Sequence, residues 1–289
     1  MKVGVTFPQI EIGADPGAVR AYAEAAESLG YDHILAYDHV VGANPESHPD
    51  LTGPYRHTHL FHEPFVLFGF LAGITRTIGL VSGIIILPQR QTVLVAKQAA
   101  AADVLSGGRL RLGFGTGWNP VEYEALGEDF HNRGRRSEEQ IELLRKLWTE
   151  PLVTYEGKWH KVSDAGLNPM PIQRPIPIWL GGGVDVVARR VGRVADGWIL
   201  TGKPDDSRKA LVDTMQAAAR ESGRDPSSIG LEGWVSVGNR PIEDCVEDAL
   251  GWRELGATHL SFNTMNSGLD TPQDHIDAIT RAREVAAAL

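Results

Sequence analysis

The chain has 289 residues, 42% of them hydrophobic, and a formal charge of -9. That length suits one large α/β barrel or two modest domains, with enough apolar side chains for a sizeable core. The acidic balance, without any basic cluster or stripe, excludes nucleic acid and anionic membrane as natural partners. An anionic ligand must instead be held locally, by backbone amides or single Lys and Arg side chains. No apolar run approaches the roughly 20 residues a spanning helix needs. The sequence runs from Met1 directly into strand-forming residues, with no charged leader, so a cytoplasmic location is expected. The single cysteine, Cys245, has no internal disulfide partner and no base near it, which points to a buried structural residue.

Hydrophobic periodicity divides the chain into alternating units. Val3 to Pro8 reads as a β-branched strand, and Ala18 to Leu29 as a helix stopped by Gly30. His33 to Tyr37 is a buried strand, followed by a polar stretch from His39 to His62. Glu63 to Ile74 reads as a helix with Pro64 in its first turn, and Ile78 to Leu87 as a strand buried on both faces. Val93 to Leu105 is a helix closed by Ser106-Gly107-Gly108, and Leu110 to Gly115 is the fourth strand. Ser137 to Trp148 is a helix, with Ser137 and Gln140 spaced as a capping box. Val153 to Trp159 predicts a small hairpin around Gly157.

After a Pro-rich passage the alternation resumes. Ile178 to Leu180, Gly197 to Leu200, Leu231 to Val237 and His259 to Phe262 read as strands. Helices are predicted over Val184 to Val194, Ser207 to Ser222, Cys245 to Leu255 and Pro272 to Leu289. About eight strands alternating with about eight helices predict a (β/α)8 TIM barrel with loop insertions, in one domain over residues 1–289. An open doubly wound sheet is the alternative. Gly115 to Ser137, and the hairpin with its Pro-rich exit, read as loop insertions.

In a barrel the reacting groups stand at the C-terminal ends of the strands. That rule selects Gln9, Asp38 and His39, Ser82 and Gly83, the run Gly115 to Asn119, Gly181 to Gly183, and Lys203. A neutral His at a strand mouth can move a proton near neutral pH or hydrogen-bond a cofactor carbonyl. It can equally anchor a loop. Gly181-Gly182-Gly183 follows a strand and opens a helix, which makes an anion seat from backbone amides. It lacks the spacing of a dinucleotide fingerprint or a Walker loop. The glycines of Gly113 to Gly117 would let a flat ring approach the barrel mouth, or would mark a kink in the strand.

His57, His59 and His62, with His48 nearby, crowd one loop. Their spacing matches no metal motif, so a polar lid on the substrate side is expected and no metal. Arg133 to Arg136 reads as loop ordering through exposed ion pairs. Trp118 and Trp198 fall near strand ends, where a ring could stack on a planar ligand. Trp148, Trp179 and Trp252 read as packing residues.

The string Ile84 to Arg90, then Val95 to Leu110, then Leu112 to Trp118, resembles the bacterial luciferase-like monooxygenase superfamily. Phe130 to Gly134, Trp179 to Gly183 and Asp196 to Trp198 extend the resemblance along nearly the whole chain. Within the superfamily the sequence is most similar to the branch that uses the deazaflavin coenzyme F420. That resemblance implies a dimeric barrel with the tricyclic ring at its mouth. It implies a ring contact and proton transfer at His39. It also implies a non-prolyl cis peptide on the third strand, expected at Ser82–Gly83, and a phosphate seat at Gly182 and Gly183. The sugar-phosphate dehydrogenases of the branch carry a Glu directly after Gly-Thr-Gly. Here Trp118 stands there and the nearest acid is Glu122, which sets this chain apart from that reaction.

The reading is therefore an oxidoreductase that moves hydride between coenzyme F420 and a small organic substrate. His39 is the expected catalytic residue. Asp38, Ser82, Gly83, Gly117, Trp118, Gly181, Gly182 and Gly183 are expected at the cofactor, and Gln9, Asn119, His59 and Lys203 at the substrate. The alternatives are an FMN-dependent monooxygenase using a separate reductase and O2, and a non-catalytic flavin- or deazaflavin-binding protein.

Overall fold

The computed structural model describes residues 1–289. In chain order the elements are β1 (Lys2–Thr6), α1 (Pro16–Ser28), β2 (His33–Ala36), α2 (Pro64–Ile74), β3 (Gly79–Ile86), α3 (Thr92–Ser106), β4 (Leu110–Gly115), α4 (Pro120–Ala125) and α5 (Arg133–Thr149). The hairpin β5 (Val153–Glu156) and β6 (Lys161–Ala165) follows. Then come β7 (Ile178–Gly181), α6 (Asp185–Val194), β8 (Gly197–Ile199), α7 (Asp206–Glu221), β9 (Gly230–Ser236), α8 (Ile242–Glu254), β10 (His259–Asn263), α9 (Pro272–Arg281) and α10 (Arg283–Ala287).

The strands other than the hairpin close into a barrel in the order β1-β10-β9-β8-β7-β4-β3-β2. Every neighbouring pair is parallel. Closure rules out the open doubly wound sheet.

Local chemistry sets the element ends. The Asp15 carboxylate accepts from the Gly17 amide at 2.9 Å, and Pro16 opens α1 with its φ already set for a helix. Glu63 likewise accepts from the Val66 amide at 2.9 Å ahead of Pro64. Gly107, in the left-handed region, closes α3. Between barrel and helices lies one continuous core of 59 buried residues. No helix is long and apolar enough to cross a membrane. Cys245 is buried, as expected.

Inside the barrel, charged groups neutralise one another. Arg111 pairs with Glu232 at 2.7 Å and lies over the Trp179 ring, 4.2 Å from its centroid. Glu232 also takes the His33 ring nitrogen at 2.8 Å and the Ser261 hydroxyl at 2.6 Å. Burial alone would raise the Glu232 pKa, but Arg111 and His33 outweigh it and hold the carboxyl well below its ordinary value.

Several boundaries differ from expectation. Ser137 does not cap a helix: α5 begins at Arg133, and the Ser137 hydroxyl donates back to the Gly134 carbonyl within it. The cause is upstream. A short turn capped by Asp129 leads into the helix, and the Arg133 guanidinium lies over Phe130, 3.6 Å from its centroid. Gln140 instead ties α5 to the exit of β3, donating to the Leu87 carbonyl at 3.1 Å. The return strand of the hairpin, β6, lies beyond Trp159. The closing helix is broken at Ala282. Within the stretch expected to be loop there is a short helix, α4.

Candidate active site

The mouth of the barrel is organised from the end of β2. The Asp38 carboxylate accepts from the Ile86 amide at 2.9 Å, and Arg90 bridges both its oxygens, at 2.7 and 3.2 Å. The same guanidinium reaches Glu63 at 2.7 Å. Asp38 thus ties the end of β2 to the exit of β3 and the start of α2. Its charge is taken up by Arg90 and the Ile86 amide, and the residue, expected at the cofactor, lines the inner cavity of the mouth. The lock at Asp38 turns the next side chain, His39, into the mouth.

On β3 the ladder is interrupted between Ser82 and Ile85, and the non-prolyl cis peptide is Gly83–Ile84, one residue beyond the expected Ser82–Gly83. Ser82 remains in register because its hydroxyl donates to the Gly113 carbonyl and accepts from the Gly113 amide, both at 2.9 Å. Its side chain, expected at the cofactor, therefore engages β4. Ile84 swings across the mouth. A Cβ at Gly115 or at Gly181 would stand 2.5 Å from Ile84 atoms. The glycines of β4 and β7 thus clear space for Ile84, and Ile84 together with Gly83 forms the surface behind the cleft.

Two adjoining cavities open there. The inner one, about 160 Å³, lies between Gly83 and Ile84 on one side and Tyr37, Tyr55, Trp118 and Trp234 around it. The outer one, about 320 Å³, is lined by the loop that follows β2, including Arg56, His57, His59 and Phe61. His39 and Tyr55 line both. The His39 ring lies 4.6 Å from that of Tyr55, 5.0 Å from Phe61 and 6.0 Å from Trp118. Burial pushes the Tyr55 phenol up to about 12, so it stays protonated. The loop is pressed onto Trp118: a Cβ at Gly53 would stand 1.8 Å from that ring. His59, expected at the substrate, lines the outer cavity, with its ring nitrogen accepting from the Arg56 amide at 3.2 Å.

The acid of the site is Glu122, on α4. Its carboxylate is fully buried and lies 3.3 Å from His39 Nδ1. The Val40 amide donates to it at 2.5 Å and Gln89 Nε2 at 3.1 Å. Burial alone would raise its pKa, but the bonds to His39, the Val40 amide and Gln89 prevail and hold it below its ordinary value. Sequence reasoning counted Glu122 only as the acid nearest to Trp118. The available signal was Asn119-Pro120, an N-cap followed by a proline at N1. Asn119 itself, expected at the substrate, is buried and caps α4, accepting from the Val121 amide at 3.1 Å.

The glycine turn after β7 lies at another part of the mouth. Gly182 has a φ of +129°, open only to glycine, and its carbonyl accepts from Trp198 Nε1 at 2.8 Å. Trp198 is fully buried and braces this turn instead of stacking on a ligand. The amides of Gly183 and Val184 donate to no other group of the chain. The Asp185 carboxylate that follows is held by Arg189 at 2.8 Å.

Gln9 and Lys203, expected at the substrate, have these surroundings. Gln9 is fully buried, and its side-chain carbonyl accepts from the Tyr37 amide, fixing the end of β1 to that of β2. Lys203 lines a separate groove with Asp205 and residues of α8, away from His39.

Residues 2–285 match the model of the luciferase-like monooxygenase family. The chain belongs to that family. An uncharacterised protein of Mycobacterium tuberculosis is 33% identical over 77% of this chain and 80% of its own length. The F420-dependent glucose-6-phosphate dehydrogenase of Segniliparus rotundus is 33% identical over 74% of this chain and 62% of its own. The FMNH2-dependent dimethylsulfone monooxygenase of Pseudomonas putida is 33% identical over 75% and 57%. Among solved structures, an F420-dependent secondary alcohol dehydrogenase in complex with an F420-acetone adduct superposes with a TM-score of 0.81 at 18% identity, covering 99% of this luciferase-like chain and 98% of its own. At that identity the likeness is one of fold.

Proposed function

We propose that this luciferase-like protein transfers hydride between coenzyme F420 and a small organic substrate, with His39 moving the accompanying proton. The observation that carries the proposal is the position of His39. It lines both of two adjoining cavities, the inner one bounded by Gly83 and Ile84 and walled by aromatic rings. Aromatic walls around the inner cavity suit a planar ring, and the unengaged amides of Gly183 and Val184 suit a phosphate. When bound, the deazaflavin supplies a ring carbon that accepts or releases hydride. The protein's residues hold, orient and dry the site, which accounts for much of such catalysis. Trp118, Tyr55 and Phe61 shape the substrate side, and His39 gives or takes the proton.

The test is a side-by-side titration of the protein with F420 and with FMN, followed by His39→Ala. F420 should bind tightly, and His39→Ala should slow hydride transfer much more than it weakens binding. Binding of FMN alone would replace this reading with the monooxygenase one, and unchanged turnover would remove His39 from the chemistry.

The same reading includes a homodimer. Val66 (72% exposed) and Phe70 (37%) on α2 share a face, as do Leu94 (52%) and Leu105 (69%) on α3. The two helices are in contact, and we infer that these exposed apolar residues are what a second copy would cover.

A further inference from the structure

We propose that Glu122 is the positioning residue of His39: it fixes the proton on Nδ1 and so presents the Nε2 lone pair to the substrate as a base. The proposal deepens the function proposed above and rests on it. A buried carboxylate that stays ionised can only accept hydrogen bonds. Each of its neighbours at Glu122 is then a donor: the amides of Val40 and Val41, at 2.5 and 3.3 Å, Gln89 Nε2 at 3.1 Å, and His39 Nδ1 at 3.3 Å. Nδ1 therefore carries the proton of the neutral ring, and Nε2 is left with its lone pair. Nε2 has no partner in the chain and is not among the buried unpaired atoms, so it opens on the cavities that His39 lines.

The surroundings leave Glu122 as the group that orients the ring. Tyr55, Phe61 and Trp118 contact His39 with ring faces and edges. Arg56, His57 and His59 line the outer cavity, and Asp38 is bound to Arg90. When Nε2 takes the hydroxyl proton of a substrate alcohol, the imidazolium formed has a carboxylate already beside it. With the oxidised deazaflavin bound, it would take up the carbinol hydride as the C=O bond forms, so the proton on Nε2 and the hydride would both be accounted for. This is the arrangement by which a buried acid sets the tautomer of a catalytic His elsewhere.

The first test needs no variant and no cofactor. Long-range proton–nitrogen NMR of the protein labelled with [15N]His, with His39 assigned by its loss in His39→Gln, reads the tautomer directly. The expected result is the Nδ1–H form; the Nε2–H form in the wild type overturns the proposal. The second test is Glu122→Gln, checked for folding by circular dichroism and for cofactor affinity by titration. It should lose the single Nδ1–H form. With an alcohol substrate it should lower kcat by about 100-fold, the scale of positioned acid–base catalysis, with KM little changed. A wild-type tautomer and kcat in Glu122→Gln would likewise overturn it. If F420 fails to bind the wild type, the proposed function falls while the tautomer measurement still decides the role of Glu122.

Discussion

Ile84 fills the space that a Cβ at Gly181 would need, with a separation of 2.5 Å. The two residues come from β3 and β7, which are not bonded neighbours, so the interruption of β3 reaches across the mouth. Gly181→Ala should destabilise the protein by about 1–3 kcal/mol, the range for forcing atoms into a packed site. Trimming the obstacle in Gly181→Ala/Ile84→Ala should recover part of that loss, so the two changes should couple by more than about 0.5 kcal/mol in urea melts. Strict additivity would show that the glycine is not there for Ile84.

The lock between Asp38 and Arg90 should be costly to open from one side. Arg90→Met leaves the buried Asp38 carboxylate with the Ile86 amide alone and should cost about 3–5 kcal/mol. Asp38→Asn/Arg90→Met removes the stranded charge and should be milder than Arg90→Met alone. Chemical denaturation of the three proteins decides it. An Arg90→Met chain as stable as wild type would mean that the mouth of β2 is held by other contacts.

Stability in acid should track Glu27. Its Oε1 accepts from the amides of Arg76, Thr77 and Ile78 at 2.7–3.0 Å, where the chain enters β3. Burial alone would raise its pKa, but these bonds bring it from 4.5 down to about 2. A carboxyl depressed in the folded state stabilises it above the unfolded value, and that contribution is lost as pH falls from about 4.5 towards 2. The stability gap between wild type and Glu27→Gln should therefore narrow between pH 6 and pH 3. A gap that stays constant would show that the charge of Glu27 adds nothing.

The apolar face of α2 and α3 gives a solution test of assembly. Light scattering should find the wild type as a dimer, and Val66→Glu/Leu94→Glu should shift it to monomer. A monomeric wild type, or a double variant that remains dimeric, would place the contact elsewhere or remove it.

The strands and helices of the barrel were legible because each carries its own signal: β-branched runs buried on both faces, proline at helix starts, glycine at helix ends. His39 was legible because a strand-end rule needs only the strand. The resemblance named the third-strand interruption and missed its position by one residue, since the hydrogen bonds that keep Ser82 in the ladder come from Gly113. Asp38, Gln9 and Asn119 were drawn to the ligand by their place in sequence. Each also bonds a partner from another element, or caps a helix, which spacing along the chain does not reveal.

By itself the sequence determined the alternation of elements, the barrel they close into, and the end of it at which chemistry would be sought. These depend on local propensity and on patterns repeated along the chain. Only the tertiary structure decided which polar groups remain free. It placed Glu122 against His39 across 83 residues of chain, bound Asp38 to Arg90, and set Ile84 into the gap left by two glycines. A hydrogen bond or a steric fit of that kind depends on distances in space, and the spacing of residues along a chain does not specify them.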